Sequence, residues 1–156
     1  MLTLLSFSMG TCLRRYDTLG YNRRAINSCP TETMTNHASP DAVVQRQLDA
    51  YNARDIDALL ATYAPDARQY GHPATLIATG HAEMRERMAG RLAEPNLHAR
   101  LRQRVVMGNI VIDHEEVTRT FPEGTGKVDM VAIYEVVDGL IQTASVQVSN
   151  KRLDAA

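Results

Sequence analysis

The sequence predicts an α+β domain, with three helices in the N-terminal half backing a mostly antiparallel sheet. Three observations carry that expectation. Apolar residues recur at helical spacing after Ser39, the pattern changes to alternation after Pro95, and Asp138-Gly139 supplies a hairpin turn between two apolar runs.

Each element has its own signal. Ser39 suits an N-cap, Pro40 the first helical position, and Asp41 the positive end of the helix dipole. Val44, Leu48 and Tyr51 follow at helical spacing, with Gln47 on the same stripe. Asn52 to Asp55 breaks this helix. Asp55 then caps a second, shorter one carrying Ile56, Leu59, Leu60 and Tyr63, which Pro65 ends. Residues 67–71 and 75–79 read as short strands around the turn His72-Pro73-Ala74. Gly80 opens a third helix to about Glu94, with Met84, Met88 and Leu92 as its apolar stripe and Glu83–Arg87 as an i,i+4 ion pair. Beyond Pro95, Leu97, Ala99, Leu101, Gln103 and Val105 alternate with His98, Arg100, Arg102 and Arg104. This is a half-exposed strand with an arginine-rich outer row. Gly108-Asn109 turns the chain into a strand over 110–119. FPEGTGK (121–127) is a loop, and strands over 128–137 and 140–149 complete a meander.

Bulk properties bound the function. At 156 residues, 44% hydrophobic and 22% charged, the chain fits one soluble globular domain. A net charge of −1 offers no field for phosphates, so nucleic acid is not an expected partner. No apolar run reaches the ~18 residues that span a bilayer, so no membrane is expected either. The two cysteines, Cys12 and Cys29, form no CxxC or disulfide framework, which favours a cytoplasmic setting. The five histidines make no HxH or HExxH pattern, so no metal site is expected. GTGK (124–127) lies between strands and fails the context of a phosphate loop. Residues 1–38 read as a disordered or mis-assigned extension with Met34 an alternative start, or as an arginine-rich organellar presequence. The domain is placed at 39–150 and a tail at 151–156.

The order of elements, with AVVQRQLDAYNARDIDALLATYAPDA (42–67), TGHAEMRERM (79–88), VIDHEEV (111–117) and IYEVVDGLI (133–141), resembles the nuclear-transport-factor-2-like (NTF2-like) superfamily. Its SnoaL-like and ketosteroid-isomerase-like branches are the nearest in pattern. The resemblance covers about residues 41–149. It implies a cystatin-like, strongly curved sheet wrapped into a cone around one mostly apolar pocket, a cofactor-free chemistry, and a homodimer through the outer sheet face. It also implies a test of the isomerase set, which is a carboxylate base and two acids that hold an enolate. The tyrosine position on the first helix holds Gln47 here. The base position falls on Gly71 or His72, and the second acid falls near Tyr134. With all three changed, steroid isomerisation by that set is not expected.

A different set remains, with His72 as base, Tyr134 as oxyanion donor and Gln47 as orienting amide. His72 reads equally as a solvated turn residue before proline. Tyr51, Tyr63 and Tyr70 suit a pocket wall, although Tyr51 and Tyr63 also suit a core. Met84 and Met88 are core filler or adaptable lining. His114 shares a strand face with Ile110 and Ile112. It points inward if that face is concave, with Asp113 and Glu115 then outward. The function expected is a pocket for a small apolar molecule. It serves either an isomerase-, cyclase- or hydrolase-like acid–base enzyme on a carbonyl compound or a non-catalytic binding module.

Overall fold

The computed structural model describes residues 38–154. The expectations for residues 1–37, including the presequence and both cysteines, lie outside the described residues. Helix α1 (Pro40–Ala53) is followed by α2 (Ile56–Leu60), β1 (Tyr63–Gly71), β2 (Thr75–Thr79), α3 (Gly80–Leu92), β3 (His98–Met107), β4 (Ile110–Phe121), β5 (Gly124–Val137) and β6 (Leu140–Leu153). The strands form one sheet in the order β2-β1-β6-β5-β4-β3. Only the β1–β6 pair among these neighbours is parallel. The α+β, NTF2-like architecture is the expected one.

Helix α1 stops where Arg54 adopts the left-handed conformation (φ 61°), and Asp55 caps α2 by accepting from the amides of Asp57 and Ala58. Ser39 occupies the N-cap of α1 without a side-chain cap bond. Asn52 fastens the end of α1 to β3, its Oδ1 accepting from the Ala99 amide at 2.8 Å and its Nδ2 donating to the Ala99 carbonyl at 2.9 Å. The apolar faces of α1, α2 and α3 meet the concave side of the sheet through Val43, Val44, Leu59, Met84, Val111, Ala132 and Ile141. Each fully buried aliphatic among them contributes about 1.5–3 kcal/mol.

Three boundaries and one ion pair differ from the sequence reading. Tyr63 opens β1 rather than closing α2, and Pro65 falls where β1–β6 pairing lapses between Tyr63 and Arg68. A residue without an N–H is tolerated there. The loop over 121–127 is a tight turn at Pro122-Glu123, because β4 and β5 pair as far as Phe121 with Gly124. The supposed tail continues β6 to Leu153. Gly126 permits this, since a Cβ there would sit 2.4 Å from the Arg152 carbonyl oxygen. Finally, Glu83 accepts from the Thr79 amide at 2.7 Å and caps α3 instead of pairing with Arg87.

The arginine row is the fifth and most consequential correction. Leu101 pairs with Glu115 and Gln103 with His114, so Arg102 is a bulge residue. The extra residue inverts the alternation. Arg100 and Arg102 stay outside, while Arg104 turns inward with only 15% of its side chain exposed.

Candidate functional site

The concave face is built in cross-strand rows. Register aligns Asp113 with Ala132, Glu115 with Met130 and Val148, and Val117 with Val128. Side chains alternate along each strand, so Val111, Asp113, Glu115 and Val117 all look toward the helices and all are buried. Two carboxylates therefore stand side by side inside the domain, Asp113 at 0% and Glu115 at 2% exposure.

Their environments differ. Arg104, directly opposite Asp113, grips it with two bonds: Nε to Oδ1 at 2.7 Å and Nη2 to Oδ2 at 2.6 Å. The remaining guanidinium nitrogen donates to Gln45 Oε1 at 2.9 Å and reaches the Asp41 carbonyl at 3.3 Å, which ties the pair to α1. Among the described residues Glu115 has no such partner. Burial pushes its pKa up, the neighbouring Asp113 charge pushes the same way, and Arg104 offsets part of this, leaving it at about 7.

Three tyrosines on the same side of the sheet feel that carboxyl's charge. Burial raises the pKa of Tyr51 to about 12, with Arg91 opposing and Glu115 adding to the rise. Burial likewise raises Tyr63, whose hydroxyl is held by the amides of Gln69 and Gln47, and Glu115 contributes. Tyr134 is raised first by burial and next by Glu115. Its hydroxyl donates to Gln47 Oε1 at 3.4 Å. All three phenols stay protonated and able to donate.

Between α3 and the sheet lies a cavity of about 110 Å³, whose apolar wall includes Tyr51, Met88, Val117, Met130, Val146 and Val148. Glu115 sits in the cross-strand row of Met130 and Val148, and Tyr51 of the wall feels its charge. Arg87, Arg91 and Arg119 complete the lining. Among the described residues, no group of three His, Cys, Asp or Glu is placed to hold a metal ion.

The SnoaL-like domain family matches residues 44–144. The chain belongs to the SnoaL-like domain family. No curated protein matches it. Among solved structures, this SnoaL-like chain is similar to a cystatin-fold protein from Novosphingobium aromaticivorans, with 23% identity over 70% of this chain and 98% of that one and a TM-score of 0.66. It is also similar to AclR, a proposed hydroxylase from Streptomyces galilaeus, with 20% identity, 70% and 77% coverage and a TM-score of 0.61. A proposed polyketide cyclase from Sinorhizobium meliloti shares 26% identity over 68% of this chain and 94% of that one, with a TM-score of 0.58.

The sequence-derived candidates of this SnoaL-like chain divide between the two faces of the sheet. Gln47, Tyr51, Tyr63 and Tyr134 come together on the concave side, and Met88 lines the cavity. Met84, fully buried, belongs to the core. His72 is exposed and borders an outer groove with Val131, Ile133, Ser145 and Gln147. These alternate with the inward Ala132 and Tyr134, so His72 and Tyr134 are on opposite faces and form no pair. Tyr70 is half-buried beside Ser145, on the face opposite the buried Gln69. His114 is exposed and Asp113 and Glu115 are buried, the reverse of the orientation that an inward Ile110-Ile112-His114 row would give.

Asp113, Glu115, Arg104 and Gln69 went unrecognised as site residues. One signal for them was present. A two-residue turn at Gly108-Asn109 sets Met107 against Ile110, and counting back along the hairpin sets Arg104 against Asp113. An arginine facing an aspartate across a strand pair marks a common face.

Proposed function

We propose that this SnoaL-like protein is a cofactor-free enzyme that moves a proton at the carbon beside a carbonyl of an apolar compound, with Glu115 as the acid–base group. The observation that carries this reading is the Glu115 carboxyl, buried on the concave face and poised at about 7, whose charge is felt by Tyr51, Tyr63 and Tyr134. A base poised near neutrality is half in its working form at pH 7. Its carboxylate takes the α-proton, the C–H electrons pass into the carbonyl, and the resulting enolate oxygen accepts a hydrogen bond from a phenol. Tyr51, on the cavity wall, is the donor assigned to that oxygen. Returning the proton at another carbon gives an isomer. Attack of the enolate carbon on a second carbonyl gives a ring, and the similarity to a proposed polyketide cyclase supports this second outcome.

The test is deuterium incorporation into β-tetralone, a small apolar ketone, followed by mass spectrometry. Exchange accelerated by the protein and reduced at least about a hundredfold by Glu115→Gln supports the proposal. Equal exchange by both proteins removes Glu115 from the chemistry. A second reading, a binding module without turnover, is favoured by the wall of the cavity, which is mostly apolar and does not itself include Glu115. Ketone binding without exchange would decide for it.

A homodimer through the outer face belongs to the same proposal. Val105, Met107 and Val131 lie exposed there, and the Ser145 hydroxyl is buried without a partner among the described residues. Light scattering on the native protein and on Val131→Arg tests it, with loss of a dimer in the variant as the expected result.

A further inference from the structure

The mouth of the cavity is cationic, and its charges are incompletely matched. Arg87, Met88, Arg91 and Arg119 line both the apolar cavity and an adjoining polar cleft of about 250 Å³, so the two spaces share one wall. Glu94 is the acid of that cleft. It is already engaged, accepting from Arg119 at 2.6 and 3.2 Å and from Arg91 at 3.4 Å. The acid that would neutralise Arg87, Glu83 one turn earlier, is turned back to the Thr79 amide. Glu83 and Glu86 border Arg87 on its other flank, and neither forms an ion pair with it. Among the described residues, three guanidinium groups thus face one carboxylate. Burial and the charge of Arg91 both lower the pKa of Arg87, which is what a cation lacking a counter-ion experiences.

We infer that Arg87, with Arg91 and Arg119 beside it, forms an anion subsite at the cavity mouth, and that the ligand is an apolar acid held by its carboxylate or equivalent monoanionic group. This rests on the cavity being the ligand site. Guanidinium forks match planar oxyanions, and a partly desolvated fork gains more from such a partner than one in water. The position also orients the ligand. Arg119 lies four residues from Glu115 on β4, about 13 Å of strand. With its anion at Arg87, a ligand lays its apolar body across Met88, Met130, Val146 and Val148, beside the cross-strand row that carries Glu115.

The experiment compares two fluorescent probes with the same ring system, anilinonaphthalene sulfonate and its neutral counterpart N-phenylnaphthylamine, on the full chain. The sulfonate is expected to bind about tenfold more tightly than the amine, a preference worth about 1.4 kcal/mol. Arg87→Met keeps the aliphatic stem and should abolish the preference by weakening only the sulfonate, while Arg87→Lys retains most of it. A Met88→Trp variant, which fills the cavity, should weaken both probes and so excludes binding on the outer sheet face. Equal affinities in the native protein, or a sulfonate preference indifferent to Arg87→Met, would overturn the inference while leaving the cavity intact. Failure of both probes to bind would overturn it together with the cavity reading.

Discussion

Replacing Glu115 by glutamine tests the electrostatic account of the site without any knowledge of the substrate. The folded protein holds the carboxyl at about 7 against an ordinary 4.5, so the charged form is disfavoured by about 3 kcal/mol. The sign follows from proton binding. Between about pH 4.5 and 7 the folded state keeps a proton that the unfolded chain has released, so native stability falls as pH rises through that window and levels off above it. Asp129, held low chiefly by Arg152, has the opposite dependence at more acid pH, so the native curve alone is not diagnostic. The difference between native and Glu115→Gln isolates the effect. Glutamine keeps the shape but cannot ionise. Urea unfolding should show the variant gaining on the native protein from near zero at about pH 4 to about 3 kcal/mol at about pH 8, or roughly 10 °C in Tm. Parallel curves for the two proteins would show that Glu115 does not titrate near neutrality, and the acid–base assignment would go with it.

The rest of the site and its frame give sharper structural outcomes. Arg104→Ala leaves Asp113 charged and buried without its bidentate partner and should cost about 3–5 kcal/mol, most of it recovered in Arg104→Met/Asp113→Leu, by chemical denaturation. Asn52→Ala removes both bonds to Ala99 and should cost about 2 kcal/mol, with faster hydrogen exchange at the Ala99 amide. Gly126→Ala forces the Arg152 carbonyl away and should cost about 1–3 kcal/mol, with loss of amide protection confined to the ends of β5 and β6.

Much of the frame was legible because its signals are local. Capping at Asp55, the break after Ala53 and the hairpin at Asp138-Gly139 depend on residues within one turn of each other. So does the Gln47–Tyr51 stripe that roofs the site. The failures come from interactions between segments. Tyr63 suits the helical stripe of α2, yet the Thr62 hydroxyl closes that helix on the Leu59 carbonyl at 2.7 Å and the chain then enters the sheet beside β6. Glu83 has two competing partners, a helix-start amide and Arg87, and the amide wins because a free N–H at a helix start otherwise lacks an acceptor.

The orientation of β4 shows why the sequence left the face of the polar centre open. Its even row offers Ile110 and Ile112 with His114 and Glu116, and its odd row offers Val111 and Val117 with Asp113 and Glu115. Hydrophobicity ties the two faces, so alternation alone cannot rank them. Charge taken strand by strand favours the even row, since burying Asp113 and Glu115 costs more than burying a neutral histidine and one carboxylate. That reasoning fails because it scores the strand in isolation. Arg104 compensates Asp113, and it does so only because the bulge at Arg102 lets Leu101 and Arg104 both face inward, three residues apart, where strict alternation forbids it. One inserted residue therefore supplies the cation that makes the odd row tolerable inside. Glu115, left beside that pair without a cation of its own, carries the residual cost as a raised pKa, and the group the fold stabilises least is the one best suited to exchange a proton.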